Sequence, residues 1–542
     1  MLVTRRPSVL LLVSLLVALV LPVGTADARV APRPDPSTRS YTTSEARGLL
    51  AEAQRKLRPD TRSRGGRGIG KGPQTELTST LLALFRARSA LSGTERRQAD
   101  AILARPTNGA GDDAVKYGNI PFRTRCFSGT LFCVHWVTTG RNAISTTDSD
   151  RDGIPNYVEY VITTMKYVYA AEVTRMGYRK PLYDTATAGR YRGNPNGKYD
   201  IYLAELGSAG LYGYCAPEGS TRPHQSPGYC VLDNNYAPSQ YGDRNFLNPL
   251  RVTAAHEFFH AIQFGYDVDE DLWFMEGTAT WIEDEVFDAV DDNYQYLSDS
   301  PIRFPRSAVD YSAYLHKYGA WIFFRYATEF LDDPAVVRSM WEAADASAGD
   351  QYSLQAIVST VSLAHDWKTF FVRFGLWNLL GTGTYAERAG YPAPVYRLST
   401  SLTSSRRSTG LVNTNLVHAS TSSIRVGPDA SLPTTSRLRI RVNGPDLDRG
   451  PAALVQVRLR NGSVQETELS LNAAGYGETT VGFDRTTVSS VVVVVANTST
   501  AMRDCDTTFA GDGGPLYSCY GRGVTDPTGS NPNTYAVIAD VA

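Results

Sequence analysis

Residues Asn248 to Glu283, NPLRVTAAHEFFHAIQFGYDVDEDLWFMEGTATWIE, decide how this chain is read. Inside them stands His256-Glu257-Phe258-Phe259-His260. An α-helix repeats every 3.6 residues, so positions four apart lie one above the other on one face. The spacing predicts two imidazoles side by side, able to hold one Zn²⁺ ion. Glu257, one step round the helix, is expected to reach a water on the open side of that metal. Asn248 is expected as the N-cap, Pro249 at the first helical position and Gly265 as the stop. The bland alternative is a buried helix whose histidines are merely packed. Only seven histidines occur in 542 residues, and two of them fall at ligand spacing around a glutamate.

Catalytic zinc takes three protein ligands and leaves a fourth position for a water, whose pKa it lowers to about 7. Two histidines therefore call for a third ligand. Glu276, in Trp273-Phe274-Met275-Glu276-Gly277-Thr278-Ala279, is the candidate. A tight polar turn at Asp267 to Asp271 and an antiparallel second helix would bring it back over the first. Glu283 shares the Glu276 face two turns later and is expected to orient a histidine by accepting its other N–H. Asp284 and Glu285 are weaker rivals for the third position.

HEFFH followed by WFMEGTATWIED resembles the zincin metalloproteases of the glutamate-ligand branch, the broad group of thermolysin and the zinc aminopeptidases. More narrowly it is similar to secreted bacterial metalloproteases sharing HEFFHAxQ and EGxAxWxED. The resemblance implies His256, His260 and Glu276 as zinc ligands and Glu257 as the catalytic base. The gap from His260 to Glu276 is a few residues shorter than in thermolysin, and Thr280 stands where thermolysin-type enzymes carry an acidic residue. The resemblance also implies a Tyr or His from a following helix at the oxyanion. Tyr318 is the first choice and His316 the second, with Tyr311 and Tyr314 also open. It implies further that an edge strand pairs with an extended substrate, for which the run Tyr229 to Asn235 is the candidate.

Composition is consistent with this. The chain is 42% hydrophobic with a formal net charge of −1, which describes a globular protein of two or three domains and gives no electrostatic case for nucleic acid or an anionic membrane. Arg5 and Arg6, the apolar run Val9 to Leu21 and Ala26-Asp27-Ala28 read as a secretory signal. That run is short for a membrane span. The six cysteines fall in close pairs, and proximity suggests Cys126 with Cys133, Cys215 with Cys230, and Cys505 with Cys519.

Asp148-Ser149-Asp150-Arg151-Asp152-Gly153-Ile154-Pro155-Asn156-Tyr157-Val158-Glu159 fits the calcium-loop pattern D-x-D-x-D-G-x5-E. Asp148, Asp150, Asp152 and Glu159 would supply carboxylates and Ile154 a backbone carbonyl, with Gly153 making the turn. Its bland reading is a solvated acidic cap of the helix expected over Pro155 to Met176. His135, in the β-rich run Cys133 to Val137, reads as a strand histidine. Lys198 to Leu203 and Gly228 to Asp233 read as strands, and Tyr311 to Phe330, Pro334 to Ala344 and Trp367 to Leu380 as helices. Ser436 to Val442 and Ala453 to Leu459 alternate as half-buried strands, and Ser489 to Ala496 reads as a fully buried one.

The expected class is α+β: a signal peptide at 1–28, a helical pro-segment or N-terminal appendage at 29–115, a zincin-like domain with a calcium loop at 116–392, and a β-sandwich at 393–542. The function expected is that of a secreted zinc metallopeptidase acting on a peptide or protein substrate, most simply an endopeptidase. The alternatives are an aminopeptidase and a non-catalytic secreted protein that binds zinc and calcium. Oligomeric state is not readable.

Overall fold

The computed structural model describes residues 41–58, 77–107, 115–126, 131–183, 197–219, 224–349, 351–500, 517–518 and 533–542. The signal peptide, Cys505, Cys519 and most of the two glycine-rich linkers lie outside the described residues.

Three helices come first: α1 (Thr43–Leu57), α2 (Thr78–Ala87) and α3 (Gly93–Leu103). Thr42 and Glu45 close a capping box on α1. There follow β1 (Arg123–Cys126), β2 (Phe132–Trp136), α4 (Asn156–Tyr169), β3 (Tyr199–Ala204), β4 (Gly213–Pro217), β5 (Gly228–Asp233) and the single turn α5 (Pro238–Tyr241). The five strands form one sheet in the order β1-β2-β3-β5-β4. β2, β3 and β5 run parallel, whereas β1 and β4 are antiparallel to their neighbours. The edge strand on the far side is therefore β4, not the Tyr229 run, which lies in β5 and is bonded on both sides. A period of two splits β3, β4 and β5 between two cores. Ile201, Leu203 and Leu232 join the main core on one face. Tyr202, Tyr214, Tyr229 and Val231 pack with the apolar stripe of α1–α3 on the other.

Beneath the sheet lie α6 (Leu247–Tyr266) and α7 (Leu272–Phe287). Every residue of α6 from Val252 to Tyr266 is buried, as is every residue of α7 from Leu272 to Asp284. Helices buried all round carry no amphipathic stripe. α6 begins two residues earlier than the Asn248 cap reading, at Leu247 with Phe246 at the cap. Gly265 stays helical, because the turn is made further on, at Asp267 to Asp271.

The helix expected over Tyr311 to Phe330 is broken. Tyr314 has φ +55°, and only α8 (His316–Gly319) and α9 (Trp321–Leu331) are helical, followed by α10 (Val336–Ala343), α11 (Ser353–Val361) and α12 (Trp367–Trp377). The helix expected to Met176 likewise leaves α4 for a π-helical turn over Ala170–Arg175.

The C-terminal strands are β6 (Leu398–Leu402), β7 (Val412–Leu416), β8 (Ser420–Pro428), β9 (Arg437–Asn443), β10 (Pro451–Leu459), β11 (Val464–Glu468), β12 (Tyr476–Gly482), β13 (Val488–Asn497) and β14 (Asn533–Val541). They make two sheets, β11-β10-β13-β8-β6 and β12-β9-β14-β7. In β13, Val491, Val493 and Val495 face the core between the sheets, whereas Val492, Val494 and Ala496 join the main helical core, where α12 packs. Apolar cover on both faces is why that strand reads as an unbroken valine run. The architecture is mixed α+β, and among the described residues no helix is long and apolar enough to cross a membrane.

Candidate metal centre

α6 and α7 form the antiparallel hairpin that carries the site. His256, His260 and Glu276 converge, each offering one ligand atom within 4.8 Å of the others, and all three are buried. Glu276 Oε2 lies 3.3 Å from His256 Nε2 and 3.5 Å from His260 Nε2. Ligands bonded to zinc at about 2.0–2.2 Å in a tetrahedron sit roughly 3.3–3.6 Å apart, so the residues present fit the ion. His260 Nε2 is buried without a hydrogen-bond partner among the described residues, which is the state of a nitrogen aimed at a metal. Gly277 makes the close approach possible. A Cβ there would stand 2.9 Å from the Phe324 ring and 3.2 Å from the Lys317 carbonyl, so only glycine lets α7 pack this tightly after Glu276.

Both imidazoles are oriented from behind. His256 Nδ1–H donates to Glu283 Oε1 at 2.7 Å, which is the role read for Glu283. The partner of His260 is Gln263, whose Oε1 accepts from Nδ1–H at 2.7 Å. The Gln263 amide nitrogen donates to the Met275 carbonyl at 2.9 Å and to Thr278 Oγ1 at 3.0 Å. Those two bonds commit the amide orientation, which fixes the His260 tautomer with Nε2 bare. Sequence reasoning missed Gln263. Its signal was the i, i+3 spacing from His260 on the buried face. Thr280 gives no such support, since its hydroxyl is buried without a partner among the described residues.

The electrostatics agree with a ligand set. Burial pulls the His260 pKa below its usual value, only partly offset by Glu276. Burial alone would raise the Glu276 pKa, yet His260, His256 and Lys317 hold it well below the carboxylate range. Asp284 and Glu285 are paired with Arg325 at 3.1 and 3.0 Å and stand outside the cluster.

Of the residues read for the oxyanion, Tyr318 stacks on His256, with ring centroids 6.4 Å apart and planes at 30°. His316 turns away, with Nε2 3.1 Å from the Ala308 carbonyl oxygen. Tyr314 is exposed, and Tyr311 packs on His316 and Tyr517. Lys317, which the sequence reading passed over, is buried and reaches Ser79 Oγ at 3.3 Å.

That serine introduces the least expected contact. The start of α2 enters the site. Thr78 Oγ1 donates to Glu257 Oε2 at 3.0 Å and accepts from the Cys215 N–H of β4 at 2.8 Å. Ser79 Oγ donates to Glu276 Oε1.

The acidic loop forms a second group. Asp148, Asp150 and Asp152 each offer one carboxylate oxygen to a common cluster. Gly153, at φ +89°, turns the chain where a side chain would be strained, and its N–H donates to Asp148 at 2.9 Å. Glu159 is not in the tight cluster. Its pKa is raised, by desolvation first and then by Asp150, Asp152 and Asp148. Asn156 turns its Oδ1 to the Ser149 N–H at 2.8 Å. His224, Asp267 and Asp269 form a third group, but Arg86 ion-pairs with Asp269 at 3.1 Å.

Cys126–Cys133 and Cys215–Cys230 are disulfides. The second cross-links β4 to β5, and bonded sulfurs rule out a thiolate site with Glu257. His135 bonds Asp200 at 2.8 Å inside the sheet, as a strand histidine. No family model matches this sequence, and no curated protein is similar enough to it to count as a relative.

Proposed function

We propose that the chain is an exported zinc metallopeptidase of the glutamate-ligand zincin type. The observation that carries the proposal is the convergence of His256 Nε2 and His260 Nε2 on Glu276 Oε2, at 3.3 and 3.5 Å, with both histidine tautomers fixed from behind. Bound zinc would polarise the scissile carbonyl and acidify a water. Glu257, one residue from the first ligand, takes the water's proton and passes it to the leaving amine. Tyr318, stacked on His256, and Lys317, bonded to Ser79, are the groups proposed to support the oxyanion, with His316 discounted by its bond to Ala308.

The edge strand β4 lies beside α6 and gives an extended peptide a row of backbone groups to pair with. That favours an internal peptide bond over a free N-terminus. The disulfides and the N-terminal signal sequence favour an oxidising, extracellular setting. Ca²⁺ is the ion proposed for Asp148, Asp150 and Asp152, because hard oxygen donors around a glycine turn suit it.

The test is Glu257→Gln. Zinc content should persist while hydrolysis of a casein-type substrate drops by at least about a hundredfold, the scale of a lost general base. Unchanged hydrolysis would reject the mechanism. Blocked and free N-terminal peptides separate endopeptidase from aminopeptidase.

A further inference from the structure

We propose that α1–α3 is a built-in inhibitor of this centre, with the start of α2 held in the substrate's place by Thr78 on Glu257 and Ser79 on Glu276. The proposal rests on the peptidase reading and names how that site is regulated. Both carboxylates the chemistry needs are engaged by hydroxyls from this one helix. Thr78 also takes the Cys215 N–H of the edge strand, the group an extended substrate would use. Lys317, on the far wall, donates to Ser79. Thr78, Ser79 and Thr80 are at most 1% exposed, so no peptide reaches Glu257 while they are seated. Both contacts are made from the first turn of α2, the positive end of its macrodipole, which adds to the hold.

The segment is fastened well away from the chemistry too. Arg86 pairs with Asp269 and donates to the Val268 carbonyl in the α6–α7 turn. Arg105, 2% exposed, pairs with Asp200 and Glu218 at the sheet. Leu81, Leu84, Ala87 and Leu103 share a core with Tyr202, Tyr214 and Val231. Glycine-rich sequence lies at both 64–72 and 108–111, on either side of α2 and α3, where a protease could sever the inhibitor. The tyrosines of the covered sheet face carry hydroxyls, so that face tolerates water better than an aliphatic one would.

Two variants of the full chain test this. Ser79→Ala removes the contact to Glu276 without adding a metal ligand. Arg86→Glu places a carboxylate against Asp269, two helical turns away, and leaves every catalytic residue unchanged. Three readouts are taken on zinc-loaded protein: hydrolysis of a quenched peptide, the rate at which dipicolinate removes zinc, and amide exchange over residues 78–87. The expected result is at least a tenfold rise in hydrolysis and in zinc removal, with faster exchange, in one variant or both. Adding Glu257→Gln should abolish the hydrolysis alone. Faster exchange with unchanged zinc removal and unchanged hydrolysis would overturn the inhibitor. Faster zinc removal with no hydrolysis in any form would uphold the plug and sink the peptidase reading. Unchanged exchange, zinc removal and hydrolysis in both variants would also overturn the inhibitor, since neither contact would then be holding the helix.

Discussion

Glu283 Oε1 lies 2.7 Å from His256 Nδ1, joining residues 27 apart on two antiparallel helices. A carboxylate behind a ligating imidazole holds the ring in place and raises its basicity, and its loss typically costs 10- to 100-fold in metal affinity. Glu283→Gln should therefore weaken zinc binding by about that factor while leaving secondary structure intact. Competition against a chromophoric chelator reads it directly. An unchanged affinity would show that the carboxylate plays no part in the centre.

The acidic loop predicts a different metal dependence. An ion bound at a hundred times its dissociation constant stabilises the fold by about 2.7 kcal/mol. Millimolar Ca²⁺ should raise the unfolding temperature of the wild-type chain, and Asp150→Asn with Asp152→Asn should abolish the rise. A shift that survives both substitutions would place the ion elsewhere.

Asp310 and His418 predict an acid transition. His418 Nε2 lies 2.8 Å from the fully buried Asp310, which also accepts from the Ser518 N–H at 3.0 Å. Burial would raise the Asp310 pKa, but His418 and Ser518 win and hold it below the ordinary 3.8. A carboxyl whose pKa falls on folding contributes stability that is present above its unfolded pKa and lost as pH falls through the folded value. Asp310→Asn should cost about 1.5–3 kcal/mol at pH 7, the scale for hydrogen bonds made to a charged group. The gap between wild type and variant should narrow as the pH falls below about 4 in denaturant melts. A gap independent of pH would contradict the assignment.

The Cys215–Cys230 bridge closes a span of 15 residues between the edge strand and its neighbour. Loops of that length are worth about 3 kcal/mol. Cys215→Ala with Cys230→Ala should lower stability by that order and loosen β4, seen as faster amide exchange at Gly213–Pro217. Unaltered exchange there would mean that ladder hydrogen bonds alone fix the edge.

Much of the centre was legible because its signals are local. The two histidines and Glu257 occupy one helix, and Glu283 follows Glu276 at helical spacing. The disulfides within 126–133 and 215–230 are short-range as well. What stayed hidden is non-local. Ser79 meets Glu276 across 197 residues, and nothing in a helix start of threonines and serine announces a partner so far away. The edge strand was misassigned because Gly213–Pro217, short and ending on a proline, was not read as a strand, and it is this strand that takes the edge beside β5. Lys317 was overlooked because a lysine among aromatics reads as solvent-facing until the fold shows it 3% exposed.

Zinc stoichiometry joined to zinc K-edge absorption on the purified full chain tests the central claim most directly. The account predicts one zinc per chain bound by two imidazoles and carboxylate oxygen at about 2.0–2.2 Å, and loss of that zinc in both His260→Ala and Glu276→Ala. A chain that binds no stoichiometric zinc, or binds it unchanged after both substitutions, would contradict it.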